Sequence, residues 1–150
     1  MSDTHSSVMG DAEIEAFLDR GGSGVLALAR DADSYAIPIS YGFDPATTRF
    51  YFRLGYGPES QKRAYVEDTE TARLVVYDEV DGEWRSVIAA GRLREIADDE
   101  LNLEVVRALR QADLPLLDIF ETPTEDLVFS MYVLDTVELT GRKSARPHSI

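Results

Sequence analysis

The segment Ser60-Gln61-Lys62 follows Gly55-Tyr-Gly-Pro-Glu and opens a stretch, Ser60 to Glu67, patterned as one or two helical turns. A hydroxyl, an amide and an ammonium in such a loop suit a phosphate-like dianion, which needs a cation and several donors in fixed geometry. Unpaired backbone N–H groups at the start of a helical turn add to that preference. Arg53 lies on the aromatic run Arg49-Phe-Tyr-Phe-Arg-Leu54 that feeds the loop, where it could add a bidentate contact. The chain has only two lysines, Lys62 and Lys143, so a lysine at this place is notable. On the residues alone an equal alternative stands: Lys62 and Arg63 balance neighbouring carboxylates on a solvated surface.

Two further features carry a choice. Pro38 interrupts Tyr35-Ala-Ile-Pro-Ile-Ser-Tyr41, whose apolar residues fit a strand. Proline cannot donate to a ladder, so it marks an edge, a bulge or a strand end, and edge prolines also block aggregation. Trp84, the single tryptophan, begins a long apolar run, where a large aromatic ordinarily packs in a core or an interface.

Other chemistries find no support. There is no cysteine, which removes disulfides, thiol nucleophiles and thiolate metal sites. The two histidines, His5 and His148, sit near the ends, so a histidine-based triad or metal site is not expected. Asp98-Asp99-Glu100 reads as the capped start of a helix, and no loop has the alternating oxygen ligands of a calcium site. Gly21-Gly-Ser-Gly24 precedes a strand and reads as a helix stop, not a nucleotide loop. Reactivity, if present, then falls to a borrowed cofactor.

These residues need elements to hold them. Asp11 to Arg20 reads as a short amphipathic helix with Ile14, Phe17 and Leu18 on one face, stopped by Gly21-Gly22. Val25–Arg30, Tyr35–Tyr41 and Arg49–Leu54 read as a meander with short turns at Asp31–Ser34 and Asp44–Thr47. Thr71–Tyr77 and Trp84–Ile96 follow as strands around a hairpin turn at Asp81-Gly82, the second bent at Gly91. Helical pieces are expected from Asp98 through Leu109 and at about Leu114–Phe120. A closing strand is expected over Leu127–Leu139, with Arg142 to Ile150 a mobile tail. The fold class is mainly β with short flanking helices: a six-stranded antiparallel split barrel, with a twisted sheet carrying helices on one side as the competing architecture. One domain spans 1–150, ordered over about 10–143.

With 150 residues, 44% of them hydrophobic, the chain can bury a core without staples. Twenty-eight acidic against fifteen basic residues give a net charge of −13, a field that repels nucleic acid and anionic lipid. Carboxylate excess with scarce lysine suits a salt-accumulating cytoplasm, where screening removes self-repulsion; an ordinary acidic protein is the alternative. Met1 to Gly10 shows no secretory pattern, and no run approaches the ~20 apolar residues of a membrane span.

The order of these motifs resembles the pyridoxamine 5′-phosphate oxidase-like FMN-binding split barrels, in particular the small nitroimidazole-reductase-like members. The aromatic strand from Arg49, the loop ending in Ser60-Gln-Lys62 and the strand through Val75-Val-Tyr77 carry the likeness, with Pro38-Ile-Ser40 before them. Trp84-Arg-Ser-Val87 through Gly91 and the ending Leu139-Thr-Gly-Arg-Lys143 complete it, over roughly residues 10 to 143. The resemblance implies an FMN-dependent oxidoreductase, a homodimer with a flavin at each subunit boundary, and a small-molecule substrate or nicotinamide donor. Ser60, Gln61, Lys62 and Arg53 would hold the phosphate. Ile37, Pro38, Ile39 and Ser40 would run along the isoalloxazine ring, which would also explain the proline. Trp84 and Arg85 would be contacts from the second subunit. The alternative on the same barrel is a module that binds flavin, deazaflavin or haem without turnover; a cofactor-free interaction domain comes third. The chain departs from these relatives at Arg53, where many carry histidine, and lacks a recognisable C-terminal arginine–histidine pattern, so vitamin B6 oxidation is not expected.

Overall fold

The computed structural model describes residues 6–57, 61–100, 102, 103, 107 and 128–145. The elements in chain order are β1 (Ser6–Val8), α1 (Asp11–Leu18), β2 (Gly22–Arg30), β3 (Asp33–Asp44) and β4 (Arg49–Tyr56). They continue with α2 (Lys62–Asp68), β5 (Ala72–Val80), β6 (Glu83–Glu95), a 3-10 turn at Asp98–Glu100 and β7 (Val128–Ala145). All strand pairings are antiparallel, in the order β1-β7-β4-β3-β2-β5-β6, and β6 also pairs with β7. That last pairing completes a ring of six strands, so the barrel prevails over the one-sided sheet.

Alternation along the strands builds the interior. Leu26 and Leu28 of β2, Leu74 and Val76 of β5, and Val87 and Ala89 of β6 point inward, while Tyr77 and Ile88 point out. Phe50, Phe52 and Leu54 of β4 and Tyr41 of β3 are fully enclosed. Burial of each such side chain contributes roughly 1.5–3 kcal/mol. Helix α1 adds Ile14, Phe17 and Leu18 to the same core, as its pattern predicts.

Two glycines are demanded by the geometry. Asp81 and Gly82 both have positive φ, 53° and 81°, and join β5 to β6 in the two-residue turn that matches strand twist. At Gly91 the β6–β7 register shifts, and a Cβ there would stand 2.1 Å from the Asp135 carbonyl oxygen. The expected bend of β6 is therefore a bulge at which two backbones meet.

Three expectations are corrected. The strand read as ending at Leu139 runs to Ala145, so Arg142 and Lys143 belong to β7, opposite Ser86 and Arg85, and not to a tail. The polar N-terminal stretch contributes β1, whose Ser6–Val8 pair with Arg142–Ser144 as a seventh strand outside the ring. Its three residues are too short to show a period. The helix expected from Asp98 begins as a 3-10 turn, held by the Glu100 carboxylate accepting from the Ala97 N–H. The piece placed at Leu114–Phe120 lies outside the described residues.

Candidate functional site

The barrel is open on one side, between β3 and β4. These neighbours pair only over Gly42–Asp44 and Arg49–Tyr51, although β3 runs back to Asp33 and β4 on to Tyr56. Continuing that register past its last pair sets Ser40 opposite Arg53 and Pro38 opposite Gly55, across the opening. Pro38 pairs on its other side with Val25 of β2, so its missing N–H falls on the edge that faces the opening. Ile37 and Ile39 turn toward the core, Ser40 is buried, and Pro38 is exposed.

Helix α2 stands beside this opening. Its first residue, Lys62, is only 8% exposed, and its ammonium donates to the Gly55 carbonyl oxygen at 2.7 Å. Burial pushes the Lys62 titration down, so the net effect of its surroundings is to disfavour the charge. Its Nζ lies 5.9 Å from the centre of the Tyr56 ring, and the Arg63 guanidinium lies 4.2 Å from the same ring. Arg53 is half-buried on β4, its guanidinium 5.6 Å from the Phe129 ring. Two cations, Lys62 and Arg63, thus meet at the Tyr56 ring in a chain of strongly negative net charge, while Arg53, three residues before Tyr56 on β4, stands against Phe129. Gln61 is the exposed residue preceding α2; Ser60 lies outside the described residues.

Trp84 and Arg85 are elsewhere. From β3 the sheet passes through β2 and β5 before reaching β6. Pro38, Val25, Val75 and Ile88 follow one another laterally, three steps of about 4.8 Å. Trp84 stands four residues further along β6, roughly another 13 Å at strand rise. The fold therefore does not bring Trp84 to Lys62 within one chain. Trp84 instead stays 42% exposed beside Tyr77, at 62%, in an outer groove of about 450 Å³ floored by Val75 and rimmed by Ser86, Arg142 and Ser144. Arg85 lines the same groove and is gripped by Glu83, with its Nε and Nη2 at 3.2 and 3.0 Å from one carboxylate oxygen. Lys143 pairs with Glu13 of α1, which holds that carboxyl below its usual range.

Sequence reasoning missed Tyr77 and Arg142 as companions of Trp84. The signal for Tyr77 was present, since it follows Val75 at the two-residue spacing of one sheet face. A second missed feature is the hydroxyl pair of Tyr56 and Tyr132, 2.6 Å apart and both buried beneath the Lys62 region. Burial raises both phenols above the ordinary tyrosine range, Tyr56 well above it.

Among the described residues no group of three histidine, cysteine or carboxylate side chains could hold a metal ion, and no helix is long and apolar enough to cross a membrane.

A six-stranded antiparallel ring, split on one side and carrying a buried cation at the split, defines the split-barrel class. The chain belongs to the pyridoxamine 5′-phosphate oxidase family, whose pattern it matches over residues 10–143. No curated protein matches it significantly. Solved structures share the fold at low identity. One, described as an FAD-binding protein from Mesorhizobium loti, is 20% identical, with a TM-score of 0.70 over 93% of this chain and 99% of that one. Another, described as a putative pyridoxamine 5′-phosphate oxidase from Corynebacterium glutamicum, is 16% identical with a TM-score of 0.67, covering 99% and 100%. A third, described as a putative 5-nitroimidazole antibiotic resistance protein from Bacteroides thetaiotaomicron, is 13% identical with a TM-score of 0.64, covering 92% and 87%.

Proposed function

We propose that this chain binds FMN at the β3–β4 split and, as a homodimer, serves as a flavin-dependent oxidoreductase for a small molecule or a nicotinamide donor. The observation that carries the reading is Lys62: a buried ammonium disfavoured by its surroundings, sharing the Tyr56 ring with Arg63, at an opening where β3 and β4 do not pair and Pro38 offers no N–H. Such a cation gains most from a phosphate dianion, because the arriving charge restores what burial took away. The residues present therefore fit the group. Lys62 and Arg53, with Ser60 and Gln61 from the loop, would hold the phosphate, and the backbone of Ile37, Pro38, Ile39 and Ser40 would border the ring.

The distance between Trp84 and Lys62 in one chain supports a shared site. An isologous dimer sets the same patch of each copy against the other, so the groove at Trp84, Arg85 and Tyr77 would complete the site of the partner. Exposed Tyr77, Trp84 and Ile88 on one sheet face give that contact an apolar centre. Bound flavin supplies hydride or electron transfer at its ring. The chain's contribution is to bind and orient it, and to exclude water with the partner's aromatic groove.

The Mesorhizobium loti relative, described as FAD-binding, supports a flavin and makes FAD the ligand to compare with FMN. The acidic surface suits concentrated salt and a cytoplasmic setting. The test is to load the protein with FMN without oxygen and add NADH or NADPH. Bleaching of the flavin absorbance at a catalytic rate supports turnover. Tight binding without bleaching by any donor makes the protein a flavin carrier, and no binding of FMN or FAD rejects the reading.

A further inference from the structure

We propose that the β2–β3 hairpin is a positioning device for the phosphate end of the site, acting through Tyr65 and Thr69, neither of which reaches the ligand. The inference rests on the flavin reading above. Helix α2 has seven residues, too few to hold its place by helix propensity alone. Its first residue reaches Gly55 of β4 through Lys62, and its far half is fastened to the opposite side of the split.

That fastening has four parts. The Tyr65 hydroxyl donates to an Asp33 carboxylate oxygen at 2.6 Å. The Tyr65 ring stacks on Tyr35 of β3, centroids 5.0 Å apart at 20°. The Thr69 hydroxyl accepts from the Ala29 N–H at 3.0 Å and lies 3.1 Å from the Ala29 carbonyl oxygen. Arg30 pairs with Asp68 at 2.9 Å across an exposed surface. All four partners, Ala29, Arg30, Asp33 and Tyr35, lie at the tip where β2 turns into β3. Helix α2 is thus a strut from the hairpin tip to β4, crossing the gap that the missing ladder leaves.

The consequence is mechanical. With the grip intact, the Lys62 ammonium is presented in one place, and a phosphate meets a prearranged cation. With the grip loosened, α2 must be ordered when the ligand binds, and the loss falls on the phosphate. The isoalloxazine ring, bordered by β3, is not affected in the same way. FMN and riboflavin differ only in that phosphate, so the pair separates a positioning role from a general loss of structure.

The experiment titrates FMN and riboflavin into wild-type protein and the Tyr65→Phe, Thr69→Val and Thr69→Ser variants, with a thermal melt of each. The expected result is that Tyr65→Phe and Thr69→Val weaken FMN about three- to tenfold, as one hydrogen bond implies. Riboflavin should stay within twofold, and Thr69→Ser should restore FMN affinity. Equal losses for both ligands, or none for either, with cooperative melts retained, overturn the inference. If wild-type protein binds FMN while the variants are unchanged, only the positioning role fails. If wild-type protein binds neither flavin, or both with equal affinity, the phosphate site fails and this inference with it.

Discussion

The Lys62 ammonium donates to the carbonyl oxygen of Gly55 at 2.7 Å, and the β3–β4 register, continued, places Gly55 opposite Pro38. A residue with no N–H thus stands where a ladder donor would be needed, and a buried lysine takes the carbonyl. The relationship joins the two features that the sequence offered separately, the strand proline and the loop lysine. It also lies within the split: β3 and β4 part after the Gly42–Tyr51 pair, Pro38 stands further along the unpaired stretch, and α2 spans the gap.

A buried ammonium costs stability, so removing it should help the empty protein. In the unfolded chain Lys62 holds its proton up to about 10.5, whereas folding lowers that value. Between the two values the unfolded state binds more protons, so stability rises with pH through that window and levels off near 10.5. Lys62→Met should melt at the same temperature as wild type or higher near neutral pH, and should lose this rise. The check is a set of flavin-free melts from neutral pH upward. A clear drop in melting temperature for the variant would make Lys62 a structural residue.

Tyr56 and Tyr132 share one buried hydrogen bond, and changing one leaves the other hydroxyl stranded. Tyr56→Phe or Tyr132→Phe alone should each cost about 1–3 kcal/mol, whereas the double variant should cost less than the sum. Denaturant unfolding of the four proteins measures the coupling. Strict additivity would show that the two hydroxyls do not depend on each other.

Gly91 and Gly82 should respond differently to alanine. A methyl group at Gly91 meets the Asp135 carbonyl oxygen at 2.1 Å, and backbone on the β6–β7 seam has little room to give. Gly82 has open space around it and only the positive φ of 81° to oppose a side chain. Gly82→Ala should therefore cost about 1–2 kcal/mol. Gly91→Ala should cost more, with overpacking strain of about 3 kcal/mol or above. Equal melting temperatures for the two variants would mean that the seam relaxes freely.

The outer groove should matter for assembly. Wild-type protein should sediment as two chains, and Tyr77→Ala with Trp84→Ala should shift it toward single chains while weakening FMN. The aromatic pair carries the apolar area there, and such residues dominate interface energetics. Sedimentation velocity with and without FMN reads both effects. A monomeric wild type that still binds FMN tightly would place the whole site in one chain.

Much of the barrel was legible because its strands alternate and its turns carry the residues those turns need, as at Asp81-Gly82. The six ring strands, α1, the Gly91 bend and the helical turn after the loop all follow from local pattern. What escaped depends on contacts distant in sequence. Polar Arg142 and Ser144 look like a tail until β6 pairs with them and β1 covers their other edge. The lateral separation of Trp84 from the split, across β2 and β5, is likewise invisible to a linear motif. Lys62 was visible as a rare lysine before a helical turn, but its burial against Gly55 required the fold.

The most direct test of the account is an FMN titration in molar potassium chloride, following flavin fluorescence, with wild-type protein beside Lys62→Ala. The account predicts one FMN per chain and an affinity at least tenfold weaker in the variant, consistent with loss of a charge-assisted contact of about 1.5–3 kcal/mol. Equal binding by the two proteins would remove Lys62 from the site, and no binding by wild type at tens of micromolar would contradict the FMN reading outright.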